Sequence, residues 1–324
     1  MKTRKEVVRD AIHFRNPGRI PMFYFSGDLS KSDIVQVVCE DWAMGENHDE
    51  VEWGFTWDIT EGDAAPMGVP HFHPIDDWGK LDAYLEKGLP DPDRADRFRR
   101  LEGVEVGDRY LMGSTFLSGF TVMMMLRGFE NLMYDLYDEP ENLKRLADAV
   151  FGVENRIIMR MAELGFDGVS FFDDWGTQKS LFISPAAWRE HFYPHYKKQF
   201  DLVHSLGMDV FFHTCGAVYP IIGDLIEAGV DMLNLGQLNL NEPEKLQKEY
   251  KGKVCFAQPL DYQKVGLFGT REEIFEEVQH IFEVFGDEKG GLIAEIFDYD
   301  AMGWQPKGPE NTVYQIEAFE SLGK

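Results

Sequence analysis

Cysteine is scarce in this chain. Only Cys39, Cys215 and Cys255 occur, an odd number, and no CxxC pair is present. A chain of this size does not need disulfide staples, so free thiols in a reducing, cytoplasmic compartment are expected. Positive charge is also in deficit: 32 Lys and Arg stand against 57 Asp and Glu, giving a formal net charge of −25. Such a surface repels nucleic-acid phosphates and anionic membranes, and neither is expected as a partner. Long apolar runs are missing as well. The most apolar internal stretch, FLSGFTVMMML (116–126), ends at Arg127, well short of the ~20 residues of a membrane span. The opening MKTRKEVVRDAIHF is charged and lacks the apolar centre of a secretory signal. No GxGxxG follows an early strand and no GxxxxGK[ST] occurs, so the nucleotide-binding fingerprints are absent.

What is present is a β/α rhythm. Val7, Val8, Ala11 and Ile12 recur at helical spacing, and RIPMFYF (19–25) then reads as a strand. Residues 26–100 are less regular, and 1–108 is read as an N-terminal helix, first strand and insertions. From 109 to 324, apolar strands alternate with amphipathic helices: YLMGST, FDGVSFFDD, MDVFFHTCG, VDMLNLG, KVCFAQPLD and GLIAEIF. ELGFDGV, HSLGMDV and EAGVDML each end a helix on glycine before entering a strand. The pattern predicts an α/β fold. With about eight strands, a single (β/α)8 TIM-type barrel with an elaborated N-terminal region fits better than an open doubly wound sheet.

In such a barrel the reactive residues sit at the C-terminal ends of the strands. MDVFFHTCG places His213 and Cys215 at one such end, two residues apart and therefore on the same face. Three readings are open for the pair: two zinc ligands, a nucleophile with its base, or two packed core residues. FFDDWGTQ (171–178) ends another strand on Asp173 and Asp174. One of these is expected to face the mouth for substrate binding or proton handling, the alternative being a cap on the following turn. Gln178 is a further candidate contact. Trp53, Phe55 and Trp57 alternate in EWGFTWD, as a wall for an aromatic substrate or as simple packing. His71 and His73 have metal-compatible spacing, but Pro-flanked loop histidines are expected to be solvated.

HTCGAVYPIIGDLIEAGVDMLNLGQ resembles the H-x-C-G segment of the uroporphyrinogen-decarboxylase-like superfamily, and most closely its zinc-dependent corrinoid methyltransferase branch. LRGFENLMYDLYDEPENLKRL (126–146), GFDGVSFFDDWGTQKSLFISPAAWREHFYPHYK (165–197), LDYQKVGLFGTREEIFEEV (260–278) and the tail 290–319 match in the same order. The resemblance implies zinc held by His213, Cys215 and a later ligand, commonly a cysteine near the last strand. This tail has none, and Glu295 or Cys255 is the expected substitute. Glu295 is preferred because Cys255 lies near the start of its strand, deep in the barrel; Asp298 is the other carboxylate nearby. The resemblance further implies methyl transfer between a small donor, with a methoxylated aromatic as the leading candidate, and cobalamin carried by a partner corrinoid protein. No cobalamin-binding DxHxxG segment occurs here.

Uroporphyrinogen decarboxylation itself is not expected. The stretch after the first strand, PMFYFSGDLSKSD, lacks the arginines of the decarboxylases' RQAGR-like segment, and only Asp28 resembles their aspartate. A lyase using His213 and Asp173 as acid and base, and a non-catalytic corrinoid- or tetrapyrrole-binding protein, are the alternatives. A homodimer is compatible with all of these.

Overall fold

The computed structural model describes residues 2–42, 44, 50–58, 69–304 and 310–322. Its strands are β1 (Met22–Tyr24), β2 (Ile34–Val38), β3 (Thr56–Asp58), β4 (Val69–Phe72), β5 (Tyr110–Leu117), β6 (Gly168–Phe172), β7 (Asp209–Thr214), β8 (Met232–Leu235), β9 (Cys255–Gln258) and β10 (Leu292–Ile296). All but β3 and β4 form one sheet in the order β1-β10-β9-β8-β7-β6-β5-β2, and every pair in it is parallel. The ring nearly closes between its ends, where Asp33 N–H donates to the Met22 carbonyl at 2.8 Å and Tyr24 N–H to Ser32 Oγ at 3.0 Å. This is the expected (β/α)8 barrel. The alternating inward positions carry Phe23, Ile34, Met112, Phe211, Met232, Ala257 and Ile293 as an apolar interior.

Helix α1 (Arg4–Ile12) closes the N-terminal end of the barrel. A Thr3–Glu6 capping box starts it, and Val8, Ala11 and Ile12 join the interior cluster. Just past its end, His13 Nε2 lies 2.9 Å from Asp209 at the start of β7, while Arg9 and Lys5 reach Asp167. The outer layer begins with α2 (Leu81–Lys87), α3 (Gly119–Arg127), α4 (Phe129–Asp138) and α5 (Pro140–Glu163). It continues with α6 (Pro185–His191), α7 (Tyr193–Ser205), α8 (Tyr219–Ala228) and α9 (Pro243–Tyr250), then α10 (Val265–Phe268), α11 (Arg271–Phe285) and α12 (Asn311–Leu322). In α5 the buried Leu143, Leu146, Val150, Val153, Ile157 and Met161 recur at three- and four-residue steps and face the sheet. Among the described residues no helix is long and apolar enough to cross a membrane.

Three sequence expectations change here. β2, read as part of an irregular region, is a barrel strand. Trp53, Phe55 and Trp57 do not wall a substrate pocket. They are at most 3% exposed, Trp53 Nε1–H donates to Glu40, and the Tyr84 hydroxyl donates to the Trp53 carbonyl. They form the core of the excursion between β2 and β5; ion pairs from Arg97 to Glu52 and from Arg94, Arg99 and Arg100 to Asp41 hold that excursion together, and Trp42 Nε1–H ties it to β5 by donating to the Thr115 carbonyl at 3.0 Å. Asp28 also leaves the substrate list. It is exposed, caps the turn Leu29–Lys31 through Ser30 N, and pairs with Lys31 at 3.6 Å.

Candidate metal centre

His213 and Cys215 stand together at the C-terminal end of β7, half-buried, with Nε2 and Sγ 3.4 Å apart. Asp174, just past the end of β6, completes a cluster. Its Oδ1 lies 3.7 Å from His213 Nε2 and accepts the Cys215 N–H at 2.8 Å. Among the described residues this is the one group of three or more His, Cys, Asp or Glu whose ligand atoms converge, all within 4.8 Å of one another. Ligand atoms held about 2.0–2.3 Å from one zinc at tetrahedral angles lie ~3.5 Å apart, so the spacing suits the ion.

The turn that carries Cys215 is fixed by backbone contact. Gly216, at φ +85°, packs so tightly on Gly176 that a Cβ would lie 2.2 Å from the Gly176 carbonyl carbon. Gly176 N–H donates in return to the Cys215 carbonyl at 3.1 Å. On the opposite side Gly236 leaves a gap, since a Cβ there would lie 2.6 Å from the Tyr262 hydroxyl oxygen and 2.7 Å from Cys215 Sγ. Small residues thus keep the space between the donors open.

The imidazole of His213 has a defined orientation. Its Nδ1 bonds Asn234 Oδ1, and Asn234 Nδ2 donates to the Ala257 carbonyl and to Glu295 Oε2, the latter at 2.6 Å. Burial works against a charge on His213, yet the Cys215 sulfur, the Asp174 carboxylate and the Asn234 acceptor together raise it to about 10.

Glu295 is placed differently from its expected role as third ligand. It is 2% exposed and points at Asn234, one residue behind His213; burial pushes its carboxyl up to about 7, against the pull of His213 and Asn234. Cys255 is not a ligand either. It lies at the base of β9 in the apolar interior with Phe211 and Met232, and burial drives its thiol well up. Asp173, adjacent to Asp174, turns to the other face. It is fully buried and accepts from Phe120 N–H at 2.9 Å, Thr121 N–H at 2.8 Å, Thr121 Oγ1 at 2.7 Å and the Tyr196 hydroxyl. Burial raises its carboxyl to about 8 against those four donors. It anchors the start of α3 rather than pairing with His213 as an acid or base. Gln178 is exposed in the following loop, His71 is exposed, and His73 Nδ1 bonds the Met125 carbonyl at 2.6 Å.

Tyr262, Asn234 and Gln237 were not singled out from the sequence. The Tyr262 hydroxyl is 3.5 Å from Cys215 Sγ and accepts from Gln237 Nε2 at 3.4 Å, while Gln237 Oε1 accepts the Gly216 N–H at 2.6 Å. A buried Asn at an inward position of an apolar strand, as in VDMLNLG, is the signal that could have found the first of these. Aromatic rings line the mouth above the pair. Phe172 lies 5.0 Å from His213 between centroids, and contacts continue through Phe25 and Phe297 to Tyr262 and Trp304, with Phe116 on the other flank of Phe172.

Fold and site together define a (β/α)8-barrel protein with a His-Cys-Asp donor set at the ends of adjacent strands. The chain belongs to the uroporphyrinogen decarboxylase (URO-D) family, whose sequence model matches residues 61–296. It is 27% identical over 188 residues to a uroporphyrinogen decarboxylase of Thermus thermophilus, a match covering 58% of this chain and 51% of that protein. It is 25% identical over 175 residues to the enzyme of Pelodictyon phaeoclathratiforme, covering 52% and 46%. The chain thus spans about half the length of the curated relatives it matches. A solved methyltransferase from Methanosarcina mazei superimposes over 100% of both chains with a TM-score of 0.69 at 15% identity, which shows a shared fold.

Proposed function

We propose that this protein is a zinc-dependent methyltransferase, moving a methyl group between a small donor and the cobalamin of a corrinoid protein. The observation that carries this reading is the convergence of His213 Nε2, Cys215 Sγ and Asp174 Oδ1 at the barrel mouth. Imidazole, thiolate and one carboxylate suit zinc, and three protein ligands leave a position open for a substrate. Bound there, zinc would activate a substrate thiol as a nucleophile or an ether oxygen as a leaving group at neutral pH.

The chain's own residues prepare the rest. Burial and the neighbouring Cys215 and Asp174 charges hold the Tyr262 phenol above its ordinary value, so its hydroxyl keeps its proton and offers a hydrogen bond to a substrate heteroatom. Phe25, Phe172, Phe297 and Trp304 supply an apolar wall that excludes water and accepts a flat ring. These rings, rather than the buried tryptophans of the N-terminal excursion, support a methoxylated aromatic as the donor.

The test is metal analysis of the purified protein together with methyl transfer to cob(I)alamin against a panel of methyl ethers, thioethers and amines. Stoichiometric zinc, lost in His213→Ala and Cys215→Ala together with transfer, is expected. Zinc-free protein, with full transfer in both variants, overturns the reading.

A further inference from the structure

β9 runs between β8 and β10, and a single side chain bridges all three. Asn234 on β8 donates through Nδ2 to the Ala257 carbonyl on β9 and, at 2.6 Å, to Glu295 Oε2 on β10. The Ala257 carbonyl can only accept, so the amide atom facing it must be the NH2 group. Oδ1 is then left facing His213 Nδ1, and it too can only accept. Nδ1 must therefore carry a hydrogen, and Nε2 is the nitrogen directed at Cys215 and Asp174. All three side chains stand on inward positions, with His213 and Asn234 in direct register across the β7–β8 ladder. Asn234 is 1% exposed and Glu295 2% exposed, so water does not compete for these bonds.

We propose that Asn234 and Glu295 are positioning residues for the metal site: Glu295 holds the Asn234 amide, and that amide fixes the ring orientation and tautomer with which His213 presents Nε2. The proposal rests on the metal reading above and adds two residues that donate no ligand. An imidazole ligand is generally oriented by the acceptor on its other nitrogen, and removing that acceptor weakens metal binding by about 10- to 100-fold. Here the acceptor is an amide whose own direction is set by a backbone carbonyl and a buried carboxylate.

Zinc affinity by chelator competition, and the visible spectrum of the cobalt(II)-substituted protein, test this in the full chain. Asn234→Ala is expected to bind zinc about 10- to 100-fold more weakly and to alter the cobalt spectrum. Glu295→Gln, whose amide oxygen still accepts from Asn234 Nδ2, is expected to stay near wild type, and Glu295→Leu to fall between. Asn234→Asp combined with Glu295→Gln keeps an acceptor for His213 and gives that acceptor a donor, but leaves the Ala257 carbonyl without one, so affinity should lie above that of Asn234→Ala and below wild type. This pair also serves if Asn234→Ala does not fold. Met232→Ala, a core truncation on the same strand, controls for lost stability and should leave the spectrum unchanged. Wild-type affinity and spectrum in both Asn234→Ala and Glu295→Leu overturn the proposal while leaving the metal reading intact. A wild-type protein that takes up no zinc overturns the metal reading, and this proposal with it.

Discussion

The carboxylate of Asp174 accepts the backbone N–H of Cys215 at 2.8 Å while standing 3.7 Å from His213 Nε2. One side chain thus braces the turn that carries the sulfur and offers an oxygen to the same centre. Asp174→Asn keeps an acceptor for that N–H and loses the charge, whereas Asp174→Ala loses both. Zinc affinity is expected to fall at least about tenfold in the first and further in the second. Isothermal titration with zinc separates the two variants, and equal affinity in wild type and Asp174→Ala would remove Asp174 from the ligand set.

The neighbouring aspartate should behave in the opposite way. Asp173→Ala strands the N–H groups of Phe120 and Thr121 and the Tyr196 hydroxyl in a fully buried site. A loss on the order of 3 kcal/mol in urea unfolding is expected, with zinc stoichiometry unchanged. A variant of normal stability that no longer holds zinc would return Asp173 to the functional site.

Gly236→Ala tests the space between the donors. The added methyl would sit 2.7 Å from Cys215 Sγ and 2.6 Å from the Tyr262 oxygen, so both must give way. Zinc binding should drop sharply while the melting temperature changes little. Unchanged zinc affinity would mean that the gap has no role in binding.

Stability should decline from mildly acid to alkaline pH. Hydrogen bonding to Asp209 raises His13, and hydrogen bonding to Asp231 raises His204. Burial raises Glu154 to about 7. A group raised in the folded state stabilises fully below its unfolded pKa, near 6.5 for histidine and near 4.5 for glutamate. That contribution is lost as pH rises through the folded value. The urea midpoint of the zinc-free protein is therefore expected to fall as pH rises from about 4.5 through neutral into the alkaline range, and to fall less in His13→Gln. A midpoint that rises over this range contradicts the assignment.

The barrel was legible because its strands are apolar on both faces and its helix-to-strand turns repeat, as in ELGFDGV and HSLGMDV. β2 was not, because five residues of DIVQVV follow β1 after only a short capped turn and precede an excursion rich in charge and aromatics. At the site, His213 and Cys215 were readable from period-two spacing at a strand end. Asp174 was named with Asp173 as a strand-end carboxylate for substrate binding or proton handling, not as a partner of His213 and Cys215, since adjacency in sequence cannot say which of two aspartates faces the mouth. Glu295 was expected to converge with His213 and Cys215, and it instead meets Asn234 behind them. Glu295 is buried, but the Asn234 side chain stands between it and His213, and no sequence pattern records which side chain fills the space between two strands. Trp53 and Trp57 misled for a related reason: an aromatic stripe looks alike whether a substrate or the protein's own Tyr84 and Glu40 cover it.

β1 finds its ladder partner in β10, and just beyond that ladder Asp298 N–H donates to Ser26 Oγ across 272 residues of sequence. During synthesis, β1 emerges early and waits unpaired until β10 leaves the ribosome. His213, Cys215 and Asp174 are made well before Glu295, the residue that holds Asn234 in place. Bringing such distant segments together is slow, because the entropy of a long loop must be overcome before the contact forms. On the proposed metal reading, barrel closure is therefore expected to precede metal loading, and a nascent chain that stops short of β10 would carry His213, Cys215 and Asp174 without the Glu295 hold on Asn234.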